Sequence, residues 1–494
     1  MARSCYEAQM RGVLARRQEQ PAIDFDGAMF TWGDANRVAQ AIERMLADAQ
    51  LPEFARIGLM ARNRPMHYAA LWGVFVAGSC TAMVHAFQPP RALAQDIAAN
   101  RFPILLGEPR DWSEAVVAAA EKAGTVGYAF TDDPAAPFAR VTRRAEPAPE
   151  LTAPPAGDTA IELLSSGTTG SPKRIPLSRT SIDELIERTI FQFGSGGAGA
   201  EAPQLLAWPL SSLGGTNGGL PAGALGQLLA IQEKFEPHGF LRQLRRYRPT
   251  FLSIPSAAMA MLLQLKPGKE DLASIQVFFN GAAPLDPEVR RAMEEDYGLA
   301  VANAYGATEF AGIISSWVPE DFALLKAKRG SCGRALPGIQ QHIVSPETGA
   351  VLGPNEVGLV EALVPRVSHD WVRTNDLAYL DADGFLFLQG RADDAILRGG
   401  LKVHPEEVAA MLRTHPRVGD AALIGVPDER LGMVPAAAIE PRLGGTAPTP
   451  KELDAWLRER LPAYKCPVRY AIVDELPRTA SMKPRREGLR ALFA

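Results

Sequence analysis

The sequence predicts an α/β protein whose large body is followed by a small α+β domain. Before residue 350, apolar runs typical of buried parallel strands recur between helical segments. These runs are RIGLMA (56–61), QLLAWPL (204–210), TFLSIP (250–255) and IQVFFNG (275–281). Short alternating segments after Gly358 predict a small all-β unit, and the pattern after Arg391 predicts an α+β domain of about 100 residues.

Length and composition are those of an ordinary globular protein. The chain has 494 residues, of which 47% are hydrophobic and 22% are charged, and its formal net charge is -4. This length corresponds to about two to four folding units, and the charge balance disfavours both a nucleic-acid-binding protein and an acidic disordered tail. Four cysteines without metal-ligand spacing predict free thiols, no zinc site and a cytoplasmic location. They are Cys5, Cys80, Cys332 and Cys466.

One uncharged stretch, from Met66 to Phe87, approaches the length that a membrane span requires. Small and polar residues interrupt it at Gly73, Gly78 and Ser79. The segment therefore predicts a buried helix, a glycine stop and a buried strand. The first residues of the chain carry scattered charges rather than the apolar core of a signal peptide, so neither export nor integral membrane association is expected.

Composition shifts mark the connections between these units. EPAPELTAPPAG (146–157) predicts an extended connector, and FGSGGAGAEAP (193–203) predicts a loop within a domain. The third composition shift follows Gly358. In the segment after it, the Asp-Gly pair at 383–384 predicts a turn between strands. In the C-terminal domain, the pattern predicts a helix at 405–413, a strand at 419–425, a helix at 450–460 and a strand at 469–473.

The strongest local motif is IELLSSGTTGSPK (161–173). A strand-like run enters a loop rich in hydroxyls and glycine, and a helix follows, with its start predicted at the capping box of Ser181 and Glu184. Backbone N–H groups, hydroxyls and a lysine suit phosphate oxygens, although the spacing differs from GxxxxGK[ST]. The loop therefore predicts a phosphate site formed by Ser165, Ser166, Gly167, Thr168, Thr169, Gly170 and Lys173.

Together with six further motifs in order, this loop resembles the AMP-forming adenylating enzymes. That family comprises acyl-CoA synthetases, stand-alone adenylation domains and firefly luciferase, and the resemblance covers nearly the whole chain. The further motifs are FTWGDANRVAQAI near residue 30, FFNGAAPLDPEV (278–289), NAYGATE (303–309), RTNDLAYLDADGFLFLQGRADD (373–394), GGLKVHPEEV (399–408) and DELPRTASMK (474–483).

The resemblance implies a fold and a reaction. It implies an N-terminal adenylate-forming domain over 1–390, with two α/β subdomains and a small β-barrel-like subdomain. A mobile α+β domain would follow over 391–494, with its hinge near 391–394 at Asp393. The implied reaction uses ATP, Mg2+ and CoA. It joins a small carboxylic acid to AMP with release of pyrophosphate, and then transfers the acyl group to the thiol.

The resemblance also implies roles for individual residues around the reacting phosphate. Lys483 would bridge the substrate carboxylate and the α-phosphate, and Thr308 would donate to that phosphate. Glu309 would bind Mg2+, a hard cation that prefers carboxylate and phosphate oxygens. Lys173 completes the implied catalytic set. Met482 replaces the family's usual glycine before the lysine, which leaves the presentation of Lys483 open.

The implied nucleotide site lies around NAYGATE. Tyr305 would supply a flat face to adenine, and Asn303 would offer a donor and an acceptor to its edge. Asp376 would accept both ribose hydroxyls, and Arg391 would contact ribose or phosphate. Asn375, the residue before Asp376, stands where the family usually has a glycine, and asparagine tolerates left-handed turns. The rest of the implied site comprises Gly281, Ala282, Ala283, Ala304 and Gly306.

The implied acid pocket lacks the charge that an amino acid substrate would need. No acidic residue stands between Trp208 and Leu220, which favours an aliphatic, alicyclic or aromatic acid. Ser211 and Ser212 stand where the family commonly has an aromatic residue and a histidine, so a pocket mouth with smaller, more polar side chains is expected, which would either admit a bulky or polycyclic acid or place the gate elsewhere. The implied lining comprises Trp208, Ser212, Leu213, Gly214, Gly281 and Ala307.

The second substrate and the overall activity leave alternatives open. The residues implied for CoA are Arg91, Gly399, Gly400, Lys465 and Arg469, whereas Cys466 and Val468 stand where such ligases carry cations. CoA is favoured over an acyl carrier protein thiol. A non-catalytic nucleotide-binding or acyl-adenylate-binding protein is the alternative from another class. Arg174 is either a second phosphate-pairing cation or an exposed arginine, and a homodimer is compatible with the sequence.

Overall fold

In this computed structural model, the described part of the chain covers most of the sequence. It comprises residues 4–151, 157–164, 174–193, 203–281, 285, 287–307, 310, 312–365, 367–392, 396–398, 401–442, 444–478 and 484–493. Contacts divide the chain into two units, and each is described by itself. Unit 1 comprises Met1–Pro249 and Ala307–Gly312, and unit 2 comprises Thr250–Gly306 and Ile313–Ala494. This division falls elsewhere than the predicted domain boundary at 390/391, which stays a prediction.

Unit 1 alternates helices and strands. Its helices are α1 (Cys5–Arg16), α2 (Trp32–Asp48), α3 (Pro65–Val76), α4 (Pro90–Asn100), α5 (Glu114–Ala123), α6 (Arg179–Phe193), α7 (Leu213–Leu225) and α8 (Pro237–Tyr247). Its strands are β1 (Pro21–Phe25), β2 (Ala28–Thr31), β3 (Arg56–Ala61), β4 (Cys80–His85), β5 (Ile104–Gly107), β6 (Val126–Phe130), β7 (Phe138–Arg140), β8 (Thr159–Leu164), β9 (Arg174–Ser178), β10 (Gln204–Leu206) and β11 (Leu229–Ile231).

The main sheet of unit 1 has seven strands in the order β7-β6-β5-β3-β4-β8-β9. Its five central strands are parallel, and the edge strands β7 and β9 pair antiparallel to their neighbours. Parallel strands joined by helices carry their loops at the carboxyl edge, where α/β proteins bind ligands. A second sheet has the order β10-β11-β1-β2. The predicted α/β body with parallel sheets is confirmed.

The uncharged stretch from 66 to 87 folds as predicted, into a buried helix and a buried strand. All of Met66–Val76 in α3 is buried, and Gly78 turns the chain with φ +76° before β4. The α3 residue Trp72 stacks on Trp32 with ring centroids 4.9 Å apart. No helix in the described part of the chain is both long and apolar enough to cross a bilayer.

Two local predictions in unit 1 were wrong. Helix α6 begins at Arg179 rather than at Ser181, because Ser178 caps it: its hydroxyl accepts from the Ser181 amide at 3.1 Å. The connector that was expected to be extended contains a 3-10 turn at Pro149–Leu151. The predicted loop at 193–203 lies almost wholly outside the described residues.

Unit 2 combines short parallel strands with antiparallel sheets. Its helices are α9 (Ser256–Gln264), α10 (Lys269–Leu272), α11 (Pro287–Arg291), α12 (Pro405–Arg413), α13 (Pro450–Arg458) and α14 (Arg486–Ala491). Its strands are β12 (Phe251–Leu252), β13 (Val277–Asn280), β14 (Ala300–Asn303), β15 (Tyr305–Ala307, whose last residue belongs to unit 1), β16 (Gly312–Ser316), β17 (Arg334–Ala335), β18 (Gln340–Val344), β19 (Gly358–Leu363), β20 (Trp371–Leu380), β21 (Leu386–Arg391), β22 (Ile396–Arg398), β23 (Leu401–Val403), β24 (Val418–Asp428), β25 (Gly432–Pro441) and β26 (Arg469–Ile472).

The first part of unit 2 is a parallel sheet of order β12-β13-β14. Helix α11 follows β13 and widens into a π turn at Ala292–Asp296, in which the amide of Tyr297 donates to the Ala292 carbonyl at 3.1 Å. This π turn lies between α11 and β14 and was not predicted from the sequence.

The predicted all-β unit is a four-stranded antiparallel sheet of order β18-β19-β20-β21. The predicted turn at 383–384 is present, with Gly384 at φ +80°. Asn375 was expected to suit a left-handed turn, but it lies in strand β20, because β19 pairs with this strand on both sides of it, at Arg373 and at Leu377.

The C-terminal part of unit 2 contains a sheet of order β23-β22-β25-β24, with β26 beside β25. The two helices and two strands that the sequence predicted there are present as α12, β24, α13 and β26. The long strand β25 and the last helix α14 were missed. The α+β class of this region is confirmed.

Candidate active site

Two asparagines lie side by side at the carboxyl ends of parallel strands β13 and β14. The register pairs Asn280 with Asn303, and the Asn280 side chain is buried. Its amide nitrogen donates to Oδ1 of Asn303 at 3.1 Å. Gly281 follows immediately, and a Cβ built there would meet nothing within 4 Å, so open space adjoins the strand ends. The predicted adenine-side residues Gly281 and Asn303 therefore lie at one edge of this sheet.

Tyr305 and Asp376 form the most direct side-chain contact of the predicted nucleotide site. The Tyr305 hydroxyl donates to Oδ2 of Asp376 at 2.6 Å, and Tyr305 is only 6% exposed. Burial and the carboxylate of Asp376 together raise the pKa of the Tyr305 phenol, which therefore stays protonated and acts as the donor. The amide of Asp376 donates to the Thr374 hydroxyl at 3.1 Å, which fixes the backbone beneath the carboxylate.

Arg391 approaches the same carboxylate from the neighbouring strand. The antiparallel register of β20 and β21 pairs Asp376 with Arg391, and the guanidinium donates to Oδ1 at 3.3 Å. Each carboxylate oxygen has about two lone-pair positions, so Asp376 keeps acceptor capacity when Tyr305 and Arg391 each occupy one. A carboxylate held in this way suits a pair of vicinal hydroxyls, such as those of a ribose.

In unit 1, the stretch expected to form the acid pocket is built around the start of α7. Ser212 caps this helix, since its hydroxyl accepts from the Gly215 amide at 3.2 Å and donates to the Pro209 carbonyl at 2.7 Å. A Cβ at Gly214 would lie 2.7 Å from the Trp208 ring, so only glycine fits there. The hydroxyl of Ser212 is therefore already engaged by the helix cap.

The neighbouring Ser211 has a partner that the sequence analysis missed. Its hydroxyl lies 3.1 Å from Nδ1 of His85, at the carboxyl end of β4, and Ser211 is 3% exposed. Burial lowers the pKa of His85, which keeps the imidazole neutral near pH 7. The available signal was a single histidine at the end of a long uncharged stretch, and nothing in the sequence connected it with residue 211.

Arg174 is neither the phosphate-pairing cation nor the exposed arginine that the sequence allowed. Its side chain is 14% exposed, and it donates to Asn100 at 2.6 Å and to the Met83 carbonyl at 2.9 Å. It also pairs with Asp96 at 3.3 Å. These contacts tie β9 to β4 and to the end of α4, so the described geometry gives Arg174 a structural role.

The residues expected to contact CoA differ in their surroundings. Arg91 is exposed at the start of α4. Lys465 pairs with Glu407 at 2.5 Å, and Arg469 donates to the Phe493 carbonyl at 3.3 Å. Val468 is 46% exposed. The structure therefore leaves the predicted thiol-side cations partly engaged by protein groups.

Several predicted residues lie outside the described part of the chain. Described residues pair next to two of the segments outside: Leu164 pairs with Arg174, and Arg478 pairs with Pro484. Among the residues that the structure describes, no three His, Cys, Asp or Glu side chains are grouped as metal ligands. The predicted residues outside are Ser165, Ser166, Gly167, Thr168, Thr169, Gly170, Lys173, Ala282, Ala283, Thr308, Glu309, Asp393, Gly399, Gly400 and Lys483.

Solved structures share this fold over the full length of the chain. MatB from Rhodopseudomonas palustris, solved with ATP bound, superposes with a TM-score of 0.81 at 23% identity, covering 99% of this chain and 98% of that one. o-Succinylbenzoate CoA synthetase from Bacillus subtilis, solved with its acyl-adenylate intermediate, gives a TM-score of 0.78 at 22% identity, covering 99% and 98%. The fold is that of the adenylating enzymes.

Sequence comparison identifies the family. The AMP-binding enzyme family matches residues 10–369, and its C-terminal domain matches residues 407–483. The probable CoA ligase CCL5 of Humulus lupulus is 32% identical over 357 residues, which cover 67% of this chain and 63% of that protein. The alignments with two further plant CoA-ligase relatives span 61% and 64% of their lengths. The chain belongs to the AMP-binding enzymes, the AMP-forming adenylating enzyme superfamily.

Proposed function

We propose that this chain is an ATP-dependent acid–CoA ligase. In the first half-reaction, a carboxylate oxygen attacks the α-phosphorus of ATP, the bond to pyrophosphate breaks, and an acyl adenylate forms. In the second, the CoA thiol attacks the acyl carbon and AMP leaves. The observation that carries the proposal is the joint placement of Tyr305, Asp376 and Arg391. The CoA ligase names of the relatives support it; 4-coumarate–CoA ligase 1 of Petroselinum crispum is 26% identical over 95% of this chain and 90% of that protein.

Asp376 is proposed to hold the ribose. Tyr305 and Arg391 fix the orientation of its carboxylate, and its remaining lone pairs accept from the two hydroxyls. A ribose fixed in this way places the α-phosphate reproducibly relative to the acid. Because in-line attack requires both reactants in one geometry, positioning contributes a large part of such catalysis.

The phosphate groups are proposed to meet the segment 165–173 and Lys483. Lys173 and Lys483 would balance the charge that grows on the α-phosphate, and Thr308 would donate to it. Glu309 would hold Mg2+, which neutralises phosphate charge when bound.

The acid is proposed to be aliphatic, alicyclic or aromatic rather than an amino acid. A buried ammonium requires a paired carboxylate, and the sequence from Trp208 to Leu220 contains none. The neutral pair of His85 and Ser211 adds polarity to this region without adding charge.

One observation supports an acyl carrier protein as the alternative thiol acceptor. Lys465 is paired with Glu407, Cys466 is buried and Val468 carries no charge, so none of these three positions offers an unpaired cation to the phosphates of CoA. An acyl carrier protein that delivers a phosphopantetheine thiol would need fewer such cations. Loading of a carrier protein is therefore the alternative function.

The test is ATP–pyrophosphate exchange across fatty, alicyclic and aromatic acids, followed by AMP release with and without CoA. Exchange with one acid class and CoA-dependent AMP release are expected. Pyrophosphate exchange without CoA-stimulated AMP release would favour carrier-protein loading instead. Nucleotide binding without exchange for any acid would contradict the ligase and favour a binding protein.

A further inference from the structure

Arg398, the last residue of β22, holds the turn that carries Lys465. Its Nη1 donates to the carbonyls of Tyr464 at 2.8 Å and of Cys466 at 3.1 Å, and the Ala463 carbonyl lies 3.4 Å away. The last carbonyls of a short helical turn have no partner within the turn, so the guanidinium supplies the donors that they need. The guanidinium of Arg398 is thereby fixed against this turn.

The fixing contacts use a single nitrogen of the guanidinium. The group is planar and carries five N–H donors. In the described part of the chain, all printed contacts of Arg398 go through Nη1, and none engages Nε or Nη2. Arg56 shows what these two nitrogens can do, because its Nε and Nη2 hold the two carboxylate oxygens of Glu162 at 2.7 Å each. Arg398 therefore keeps a complete two-donor edge for a ligand.

The positive charge of Arg398 is not balanced by an ion pair. Among the residues that the structure describes, no carboxylate lies within ion-pair distance of its guanidinium. The backbone amides of Leu431 and Arg430 lower the pKa of the Asp428 carboxyl group, and the charge of Arg398 adds to this effect from a longer distance. Lys465 on the neighbouring turn is, in contrast, paired with a glutamate. Arg398 is thus a fixed cation with one open edge.

Arg398 and Arg469 lie along the same edge of β25. Strand β24 occupies the other edge, whereas Arg398 pairs with Gly432 and Arg469 pairs with Ala436. The two pairing positions are four residues apart, which is about 13 Å along a strand. Arg469, which the sequence predicted as a CoA contact, is exposed and is held in the same way, since its Nη1 donates to the Phe493 carbonyl at 3.3 Å. Two arginines held by backbone carbonyls therefore follow one edge of the sheet.

We infer that Arg398 binds a phosphate group of CoA through its Nε and Nη2 atoms, and so supplies the positive charge that Cys466 and Val468 do not. Two parallel N–H donors of a guanidinium match two phosphate oxygens in geometry and in charge. The inference rests on the proposed function, which provides CoA as the acceptor. It assigns a CoA contact to a residue that lies between two of the sequence motifs and belongs to neither.

The test measures the binding of CoA, dephospho-CoA and pantetheine to the full chain by titration calorimetry. Dephospho-CoA lacks the 3′-phosphate, and pantetheine lacks every phosphate. In Arg398→Met, the Kd for CoA should rise about tenfold because a charge-assisted contact is lost, and the Kd for pantetheine should stay at the wild-type value. If the 3′-phosphate is bound, the difference between CoA and dephospho-CoA should shrink in this variant. If the diphosphate is bound, dephospho-CoA should lose the same factor as CoA.

Two further variants separate phosphate binding from support of the turn. Arg398→Lys keeps a charged donor for the turn carbonyls but lacks the two-donor edge. It should unfold close to the wild-type temperature and still bind CoA more weakly than wild type. Arg458→Met is the matched control, because Arg458 is exposed on α13 and paired with Asp454 at 2.6 Å. It should keep the wild-type Kd for CoA.

Four outcomes would overturn the inference. The first is wild-type CoA binding in folded Arg398→Met and Arg398→Lys variants. The second is an equal loss for CoA and pantetheine in Arg398→Met, which would leave the residue only its support of the turn. The third is an equal loss of CoA binding in Arg398→Met and Arg458→Met, and the fourth is a wild-type chain that binds CoA no more tightly than pantetheine. Because these titrations need neither acid nor ATP, a missing pyrophosphate exchange would contradict the ligase proposal alone.

Discussion

The Tyr305 hydroxyl lies 2.6 Å from Oδ2 of Asp376, although 71 positions separate the two residues in sequence. The bond joins the tyrosine of NAYGATE to the aspartate of RTNDLAYL, two motifs that the sequence shows only as separate matches. A phenol that stays protonated and a carboxylate that only accepts form a one-directional contact. The orientation of Asp376 is therefore set before any nucleotide arrives.

Removal of this phenol should weaken nucleotide binding. In Tyr305→Phe, Asp376 loses a donor that holds its carboxylate, so the Kd for AMP should rise about tenfold. Titration calorimetry with AMP measures the change. Tyr379→Phe is the control, because Tyr379 lies in the same sheet as Asp376, stacked on Phe387, and outside the predicted site. An equal effect of both substitutions would show that the hydroxyl acts only through the stability of the sheet.

Substitutions of the adjacent cations Lys173 and Arg174 should have different effects on ATP binding and on stability. Lys173→Met should raise the Kd for ATP about tenfold, since a charge-assisted contact to phosphate is lost. Arg174→Met should leave that Kd unchanged and lower the unfolding temperature, because Asn100, Asp96 and the Met83 carbonyl lose their partner. Binding and thermal unfolding are measured on both variants. Weaker ATP binding in a folded Arg174→Met variant would contradict its structural role.

Substitutions at Lys483 and Asp393 should affect the two half-reactions differently. Lys483→Ala should reduce adenylate formation at least 100-fold, on the order of what one electrostatic contact contributes to a transition state, and leave thiolysis of supplied acyl adenylate intact. Asp393→Pro should give the opposite pattern if the chain turns at this residue. Pyrophosphate exchange and thioester formation from synthetic adenylate provide the two readouts. Equal losses in both assays for Lys483→Ala would refute its assignment to the first step.

A buried ionic network should dominate the stability of the C-terminal region. Arg413 donates to Asp420 at 2.8 Å and to Glu406 at 2.6 Å, and Arg478 donates to the other oxygen of Asp420 at 2.6 Å. Arg413→Met leaves the mostly buried Asp420 with one of its two cationic partners, Arg478, and the loss of the charged hydrogen bond should cost about 2 kcal/mol. Hydrogen exchange of β24 and β25 during urea titration measures the loss.

The matched control is Arg417→Met, which removes the exposed ion pair with Glu452. Solvent screens such pairs, so this variant should unfold close to wild type. If Arg413→Met and Arg417→Met shift the exchange of β24 equally, burial of the network is not the source of its contribution.

The stability of unit 1 should fall below about pH 6.5, the usual pKa of histidine. His67 is fully buried, its Nδ1 accepts from the Arg62 amide at 3.3 Å, and its Nε2 meets Glu108 at 2.8 Å. Burial lowers the pKa of His67 despite the nearby carboxylates Glu108 and Asp111. The folded state thus holds the ring neutral, whereas the unfolded state takes up a proton as the pH falls.

Because the unfolded state binds more protons, the free energy of unfolding should drop by up to about 1.4 kcal/mol per pH unit below the unfolded pKa. Thermal unfolding between pH 7.5 and 5.5 should show a smaller decline in His67→Gln than in wild type. The exposed His238 provides the control, and His238→Gln should keep the wild-type slope. A wild-type slope in His67→Gln would assign the pH dependence to other groups.

Local patterns predicted much of the fold because they depend on neighbours in sequence. The helix at Pro405–Arg413 and the helix–glycine–strand order from Pro65 to His85 follow from periodicity and from the position of Gly78. Asn375 was expected to suit a left-handed turn and lies instead in strand β20, and the sequence did not indicate that Ser212 caps α7. The register of a strand is a property of two segments, and a motif contains only one of them.

The contacts of the site were less accessible to sequence reasoning. The pairs Arg290–Asn303 and His85–Ser211 join residues that belong to no common motif. Arg290 resembles any surface arginine of a helix until the sheet brings Asn303 within 2.7 Å. The motifs predicted candidate site residues at the strand ends, but the side chains that contact these residues are determined by packing.

The π turn at Ala292–Asp296 has a consequence for insertions and deletions. A π turn holds one residue more than an α turn, so it is equivalent to a single inserted residue within a helix. A deletion inside the turn would restore regular helical pairing and leave α11 in place. A deletion within α11 itself, ahead of Arg290, would rotate that side chain by about 100° and remove it from Asn303. Relatives of different length are therefore expected to place their gaps after this arginine rather than before it.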